Sequence, residues 1–307
     1  MARGWRVLDI TSLVGNVSTR RGQLAITPEG EESSYVPVAD LALVLLGQKV
    51  ALSGGVVHYL AQHDVSALMC DWRGVPYAGF HSWSEHTRVG ARHLAQVDLT
   101  KPRQKNAWMQ IVKAKVLGQA QTLALVDRRA ARRLFQIAAD VRSGDPNNSE
   151  AIAARWYWRH LFANQRFSRD QDGRDNLNSM LNYGYAILRG FGIRAVAGAG
   201  LSPTIGVFHR NRSNPFNLVE DLIEPFRPVV DAAVHHLGCD ASLEDRRVKQ
   251  ALVSVIAKPF DPTGMGVGSM LDDLAQQFGK YAEGDMPRLD VPSWNPIPDW
   301  WEADAEG

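Results

Sequence analysis

Met109-Gln-Ile-Val-Lys-Ala-Lys-Val-Leu-Gly-Gln-Ala-Gln-Thr-Leu123 places Met109, Val112, Val116, Ala120 and Leu123 three and four residues apart. That spacing is one apolar stripe of an amphipathic helix. Lys113 and Lys115 flank the stripe, at positions expected to be solvated. Working outward, the chain is helical in pattern on the C-terminal side and strand-like on the N-terminal side. Arg128 to Val141 reads as a second helix ended by Ser143-Gly144-Asp145-Pro146, and further helices are expected at 149–163, 176–189, 215–237 and 243–257. Before residue 85, Trp5 to Ile10, Gln23 to Thr27, Ser34 to Val38 and Ser66 to Asp71 are short β-branched or aromatic runs between turns. Asp40 to Leu46 reads as a buried strand and Val50 to His63 as a short helix weakened at Gly54-Gly55. Trp72 to Pro76 reads as a turn and Tyr77 to His81 as a closing strand. The class is α+β: a small N-terminal β-rich domain (1–85), a larger all-α domain (90–284) and an acidic tail (285–307) carrying Trp294, Trp300 and Trp301. The tail is either docked by its tryptophans or mobile.

With 45% apolar and 22% charged residues the chain has the balance of a globular protein, and no apolar run approaches a membrane span. No basic-then-apolar leader precedes the first strand. The two cysteines, Cys70 and Cys239, exclude a disulfide framework, so a reducing cytoplasm is expected. Net charge is only +1, but it is unevenly spread. Lys101 to Arg133 is strongly basic, Lys113, Lys115, Arg128 and Arg132 included, while the chain beyond Asp272 is acidic. A local phosphate-binding surface fits that asymmetry; so does chance segregation on solvated helix faces.

Three segments hold polar groups that a plain core would not need. Glu150 opens a helix capped by Asn148 or Ser149, on a stripe with Ala154, Tyr157 and Leu161; alone it reads as a charge complementing the helix dipole. His209 ends the glycine-containing run Gly198 to His209 and precedes Arg210 and Arg212, which can meet phosphates. Alone it reads as a structural histidine. Glu220, Asp221 and Glu224 crowd one helix face just before Pro225, which kinks or ends that helix. Carboxylates with one imidazole suit Mg²⁺ or Mn²⁺, but the spacing alone is not specific. On the helix from Asn176, Asn178, Asn182, Tyr185 and Arg189 form a hydrogen-bonding stripe, either a solvated face or the lining of a polar site. Gly264 to Gly268 lacks the strand-turn-helix setting of a phosphate loop, and the adjacent His235 and His236 diverge.

Four runs in order carry a resemblance. They are Ser149-Glu150-Ala-Ile-Ala-Ala-Arg-Trp-Tyr-Trp158, Asp175-Asn-Leu-Asn-Ser-Met-Leu-Asn-Tyr-Gly-Tyr185, Ala199-Gly-Leu-Ser-Pro-Thr-Ile-Gly-Val-Phe-His209 and Asp221-Leu-Ile-Glu-Pro-Phe-Arg-Pro228. The chain resembles the family of CRISPR-associated protein one, the integrase subunit of spacer acquisition. Its size and the wording from Phe216 to Pro228 look closest to variants of type II systems. The resemblance implies catalytic metal ligands at Glu150, His209 and Glu224, with Asp221 as a further ligand and Asn178, Asn182 and Tyr157 in support. It implies Mg²⁺ or Mn²⁺ as cofactor and a DNA 3′-hydroxyl attacking a phosphodiester. It also implies a homodimer, with the N-terminal domain as dimer contact, bridged by CRISPR-associated protein two, and cooperation with the type II effector nuclease. Double-stranded DNA would be held by Arg210, Arg212, Lys113, Lys115, Arg128 and Arg132. Two other readings stay open: a stand-alone metal-dependent nuclease, and a non-catalytic DNA-binding scaffold.

Overall fold

The computed structural model describes residues 6–71, 76–82, 86–163, 165, 167–297 and 300. The turn expected at Trp72 to Pro76 (Pro76 itself excepted), along with Trp5, Trp301 and the end of the tail, lies outside the described residues. The chain divides into two compact units, 1–85 and 86–307.

The first unit carries two four-stranded sheets. In one, β1 (Arg6–Ile10), β5 (Leu41–Leu46) and β7 (Ser66–Cys70) run parallel, with β8 (Pro76–Phe80) antiparallel at the edge. β5 is buried at all six residues, as an uninterrupted apolar run requires when both faces are covered. The other has the order β4 (Ser34–Pro37), β3 (Gln23–Pro28), β2 (Gly15–Arg20), β6 (Val50–Leu52). Leu24 and Ile26 of β3, Val17 of β2, Val44 and Leu46 of β5 and Val56 and Leu60 of α1 (Gly54–Gln62) share one core. β2 was not expected: its Gly-Asn-Val-Ser-Thr-Arg sequence is too polar for an apolar period, and cross-strand pairing with β3 supplies what propensity lacks. The helix expected from Val50 instead begins at Gly54, because 50–52 pair with β2 and the glycines form the first turn.

The second unit is helical: α2 (Val89–Val97), α3 (Lys101–Ala124), α4 (Arg128–Asp140), α5 (Ser149–Leu161), α6 (Asn176–Gly198), α7 (Asn217–Ile223), a 3-10 turn (Glu224–Phe226), α8 (Arg227–Leu237), α9 (Arg246–Ser254) and α10 (Val267–Glu283). The helix expected over 215–237 is therefore broken at Pro225, where the missing N–H and the ring crowd the preceding turn. Asp127, Asp175 and Asp245 cap α4, α6 and α9 with side-chain bonds to backbone N–H groups. α6 is buried along its length and runs past the expected end at Arg189. Its neighbours approach closely because Gly184 and Gly192 carry no side chain. A Cβ at Gly184 would lie 2.4 Å from Val230 of α8, and one at Gly192 would lie 2.7 Å from Val219 of α7. Those two contacts fix α7 and α8 against α6 and so place the kink at Glu224.

The last described stretch is docked rather than loose. Trp294 and Trp300 are buried and meet edge-on at 4.9 Å, Trp294 packs on Phe260, and Phe260 packs on Phe226. Trp300 Nε1 donates to the Pro259 carbonyl at 2.7 Å.

Candidate metal centre

Every candidate ligand lies in the second unit. Glu150 stands in the first turn of α5, but the cap expected from Asn148 or Ser149 is supplied by another residue. The Asp145 carboxylate accepts from Ser149 N–H at 2.8 Å and Glu150 N–H at 3.0 Å. Asn148 has φ +53° and makes no side-chain cap bond. An acid outside the helix thus holds the backbone and leaves the Glu150 side chain to point elsewhere.

It points at Lys115. Lys115 Nζ lies 2.6 Å from Glu150 Oε1 and 2.6 Å from Glu224 Oε2, with 11% of its side chain exposed. This corrects the expectation that Lys115 is solvated and free for DNA: one turn of α3 turns it inward, between two acids. Glu224 also accepts from Arg227 Nε at 3.0 Å, and Arg227 Nη2 donates to Glu220 at 2.9 Å. Arg189 closes the series with an ion pair to Glu220. The acidic cluster is therefore buried and alternates with cations, where a solvated face was one expectation for Glu220. Burial pushes the Glu224 carboxyl up, but Arg227 and Lys115 outweigh it and bring its pKa down to about 2. Burial likewise opposes the charge on Lys115, and Glu224 and Glu150 reverse that, so the ammonium is held above its usual range.

Asp221 does different work from the ligand role expected of it. It is fully buried, and its two oxygens accept from the N–H groups of Val207 at 2.6 Å, Phe208 at 3.0 Å and His209 at 3.2 Å. Oδ1 also meets His209 Nδ1 at 2.7 Å. With its lone pairs spent on these donors, Asp221 has little left for a metal. It folds the loop and orients the imidazole, leaving Nε2 as the outward nitrogen. The Asp221 hydrogen bond raises the His209 pKa, burial opposes this, and the charges of Asp221, Glu224 and Glu220 add to it. Gly206 permits the turn, since a Cβ there would lie 2.5 Å from the His209 carbonyl oxygen.

His209 lines a pocket of about 630 Å³ with Lys101, Arg210, Arg212, Asn211 and Asn214 among its walls. No carboxylate among the described residues lines it. Arg210 and Arg212 are exposed there; Arg128 and Arg132 are exposed on α4, and Lys113 is half-buried on α3. Beside His209, the half-exposed Phe208 ring stacks on buried Trp108 at 4.1 Å and 3°.

The stripe on α6 divides in two. Asn178 and Asn182 hold the segment before α6: Arg169 donates to both side-chain oxygens, at 2.9 and 2.6 Å, and their amides donate to Ser168 and Gln171 carbonyls. Tyr185 and Arg189 reach the site's surroundings. Tyr185 and Tyr157 both donate to Asp231 of α8, Tyr157 at 3.1 Å, which ties α5 and α6 to the helix after Glu224. Burial pushes Asp231 up to about 7 even though both tyrosines pull it down. Asp231, Arg227, Asp145 and the Phe208–Trp108 stack were missed by sequence reasoning. An acid within the apolar run Val229 to Val234, four residues after Arg227, was the available signal.

Among the described residues, no group of three or more His, Cys, Asp and Glu side chains stands in a metal-holding arrangement. Two features nevertheless fit a divalent cation. Two carboxylates meet at one positive centre, and the oxygens of each that meet it are held by a single, exchangeable ammonium. Hard oxygens plus one imidazole nitrogen suit Mg²⁺ or Mn²⁺. The second unit thus brings together buried acids, an oriented histidine and a pocket walled by Lys101, Arg210 and Arg212, chemistry suited to phosphoryl transfer.

Comparison with known proteins agrees. Residues 10–251 match the family described as CRISPR associated protein Cas1. The CRISPR-associated endonuclease Cas1 of Neisseria meningitidis is 36% identical over 235 residues, covering 76% of each chain. One from Pyrobaculum aerophilum is 26% identical over 288 residues, 88% of this chain and 97% of that one. Among solved structures, a casposase bound to integration product superposes with TM-score 0.76 at 20% identity, covering 94% and 93% of the chains. A CAS1 protein from Thermotoga maritima superposes at 0.68 with 14% identity, covering 95% and 100%. The chain belongs to the Cas1 family of CRISPR-associated DNA endonucleases and integrases. No helix among the described residues is long and apolar enough to cross a membrane.

Proposed function

We propose that this chain inserts new spacers into a CRISPR array through a divalent metal held by Glu150, Glu224 and His209. The meeting of Glu150 and Glu224 at one cationic position carries this reading, with Asp221 presenting His209 from behind. When bound, Mg²⁺ or Mn²⁺ would neutralise charge developing on the attacked phosphodiester and favour ionisation of the attacking 3′-hydroxyl. Asp221, accepting a hydrogen bond from Nδ1–H, would leave the Nε2 lone pair to hold the metal. Arg227 holds the far oxygen of Glu224, so this carboxylate stays ionised and fixed in direction. Arg210 and Arg212 meet DNA phosphates at the pocket rim, and Arg128, Arg132 and Lys113 extend phosphate contact elsewhere. The open ring face of Phe208 suits a nucleobase at the reacting end.

Double-stranded DNA, a second copy of the chain meeting through the N-terminal domain and a Cas2 partner complete the proposal. The Cas2 partner is supported by a Cas6-RT-Cas1–Cas2 complex that superposes at TM-score 0.74 and 16% identity over 97% of this chain, 37% of that one; the second copy rests on the sequence resemblance. Cooperation with a type II effector nuclease rests on the sequence from Phe216 to Pro228. The test is a strand-transfer assay with a pre-spacer and a repeat-bearing plasmid, with and without Mn²⁺. Joined product that requires Glu150, Glu224 and His209 is expected. Shorter fragments alone would mean a stand-alone nuclease, and acquisition unaffected by Glu150→Ala would mean a scaffold.

A further inference from the structure

Among the described residues, Lys115 touches both proposed carboxylate ligands. Its ammonium lies 2.6 Å from each, on Glu150 Oε1 of α5 and Glu224 Oε2 of the 3-10 turn, both of which pack against α3. The far oxygen of Glu224 is already held by Arg227. The cation-facing oxygens are thus Glu150 Oε1 and Glu224 Oε2, and Lys115 spans them both. A metal bound between those two oxygens would need the same lone pairs that the ammonium now holds, so the two cannot occupy the position together.

We propose that Lys115 is a built-in placeholder: in the metal-free protein its ammonium takes the metal's position, and metal loading requires it to swing away. The inference rests on the metal reading above. Without some cation there, partly buried Glu150 and buried Glu224 would face each other with only Arg227, on the far oxygen of Glu224, to offset their charge, a destabilising arrangement. Lys115 therefore permits the site to fold before metal arrives. It also makes the metal compete with an attached cation, weakening affinity and making loading depend on the free metal concentration. Lysine suits this better than arginine, because a compact ammonium on a four-carbon stem can leave and find another partner, whereas a planar fork holds two acids firmly. The displaced ammonium stays tethered beside the centre.

The test uses the full chain and Mn²⁺ in two arms. In the first, wild-type protein is reductively methylated with and without Mn²⁺, and peptide mass spectrometry compares Lys115 with the exposed Lys101 and Lys105. Lys115 should be protected without metal and become reactive with it, while the reference lysines do not change. In the second, Mn²⁺ affinity is read from the free-ion electron paramagnetic resonance signal for wild type, Lys115→Met and Glu224→Gln. Lys115→Met should bind about tenfold tighter or more, as expected when a competing buried cation is removed, and Glu224→Gln should lose binding. Mn²⁺ binding with unchanged Lys115 reactivity, or with Lys115→Met no tighter than wild type, overturns the placeholder and leaves the metal reading standing. No Mn²⁺ binding by either protein overturns both. If Lys115→Met does not fold, the labelling arm decides alone.

Discussion

Arg227→Met removes the cation that bridges Glu224 and Glu220, and the structure sets the size of the loss. Arg227 Nε donates to Glu224 at 3.0 Å and Nη2 to Glu220 at 2.9 Å, and both acids are buried. Glu224 sits at about 2 against an ordinary 4.5. At about 1.4 kcal/mol per unit, that depression is worth roughly 3 kcal/mol, shared between Arg227 and Lys115. Glu220 loses a partner as well, so a total of about 3–5 kcal/mol is expected, as for other buried pairs cut on one side. In a domain of this size that lowers the melting temperature by about 10 °C. The sign with pH is fixed: a depressed carboxyl contributes stability that is complete above 4.5 and is lost as pH falls toward 2. The gap between wild type and Arg227→Met should therefore be full at pH 7 and shrink below pH 4.5, as Glu224 of the unfolded chain takes a proton that the folded wild type, held at about 2, does not. Calorimetry across pH 7 to 3 checks this. A gap under about 1 kcal/mol at pH 7, typical of an exposed pair, would refute the argument. So would a gap that stays constant with pH.

Asp221→Asn should lower the melting temperature and weaken Mn²⁺ binding about 10- to 100-fold, because an amide cannot accept from three N–H groups and an imidazole at once; titration calorimetry reads the affinity. Trp294→Ala should cost about 3–5 kcal/mol by denaturant titration, since the fully buried ring supports Phe260 and, through it, Phe226 beside Glu224. Gly184→Ala should cost about 1–3 kcal/mol, because the new methyl overlaps Val230 and pushes α8 from α6. Arg210→Ala with Arg212→Ala should reduce the salt slope of DNA binding by about 2, measured by fluorescence anisotropy from 50 to 200 mM salt, while Mn²⁺ binding is unchanged.

The division into a β-rich start and a helical remainder was legible because short β-branched and aromatic runs between turns give way to apolar stripes with the helical spacing of three and four. β2 was not legible, since Gly15 to Arg20 is polar and becomes a strand only by pairing with β3. α2 and α10 were missed too. Val89 to Val97 leaves Leu94 and Val97 exposed, which blurs its stripe, and α10 begins in the glycine-rich stretch at Gly264. For the proposed site, the order of four motifs singled out Glu150, His209 and Glu224, where spacing alone did not. What sequence could not give was the pairing. Lys115 looked like one more basic residue on α3, and only the meeting of α3, α5 and the Pro225 turn shows it between two acids. Asp221 looked like a fourth ligand until its hydrogen-bond partners in the loop were seen.

The central claim is that Glu150, Glu224 and His209 hold one metal ion, and electron spin-echo modulation of bound Mn²⁺ tests it most directly. A single ¹⁴N coupling from an imidazole is predicted for wild type. It should vanish in His209→Ala, and bound Mn²⁺ itself should be lost in Glu150→Gln and Glu224→Gln. Bound Mn²⁺ without nitrogen modulation in wild type, or with modulation surviving His209→Ala, would contradict the account.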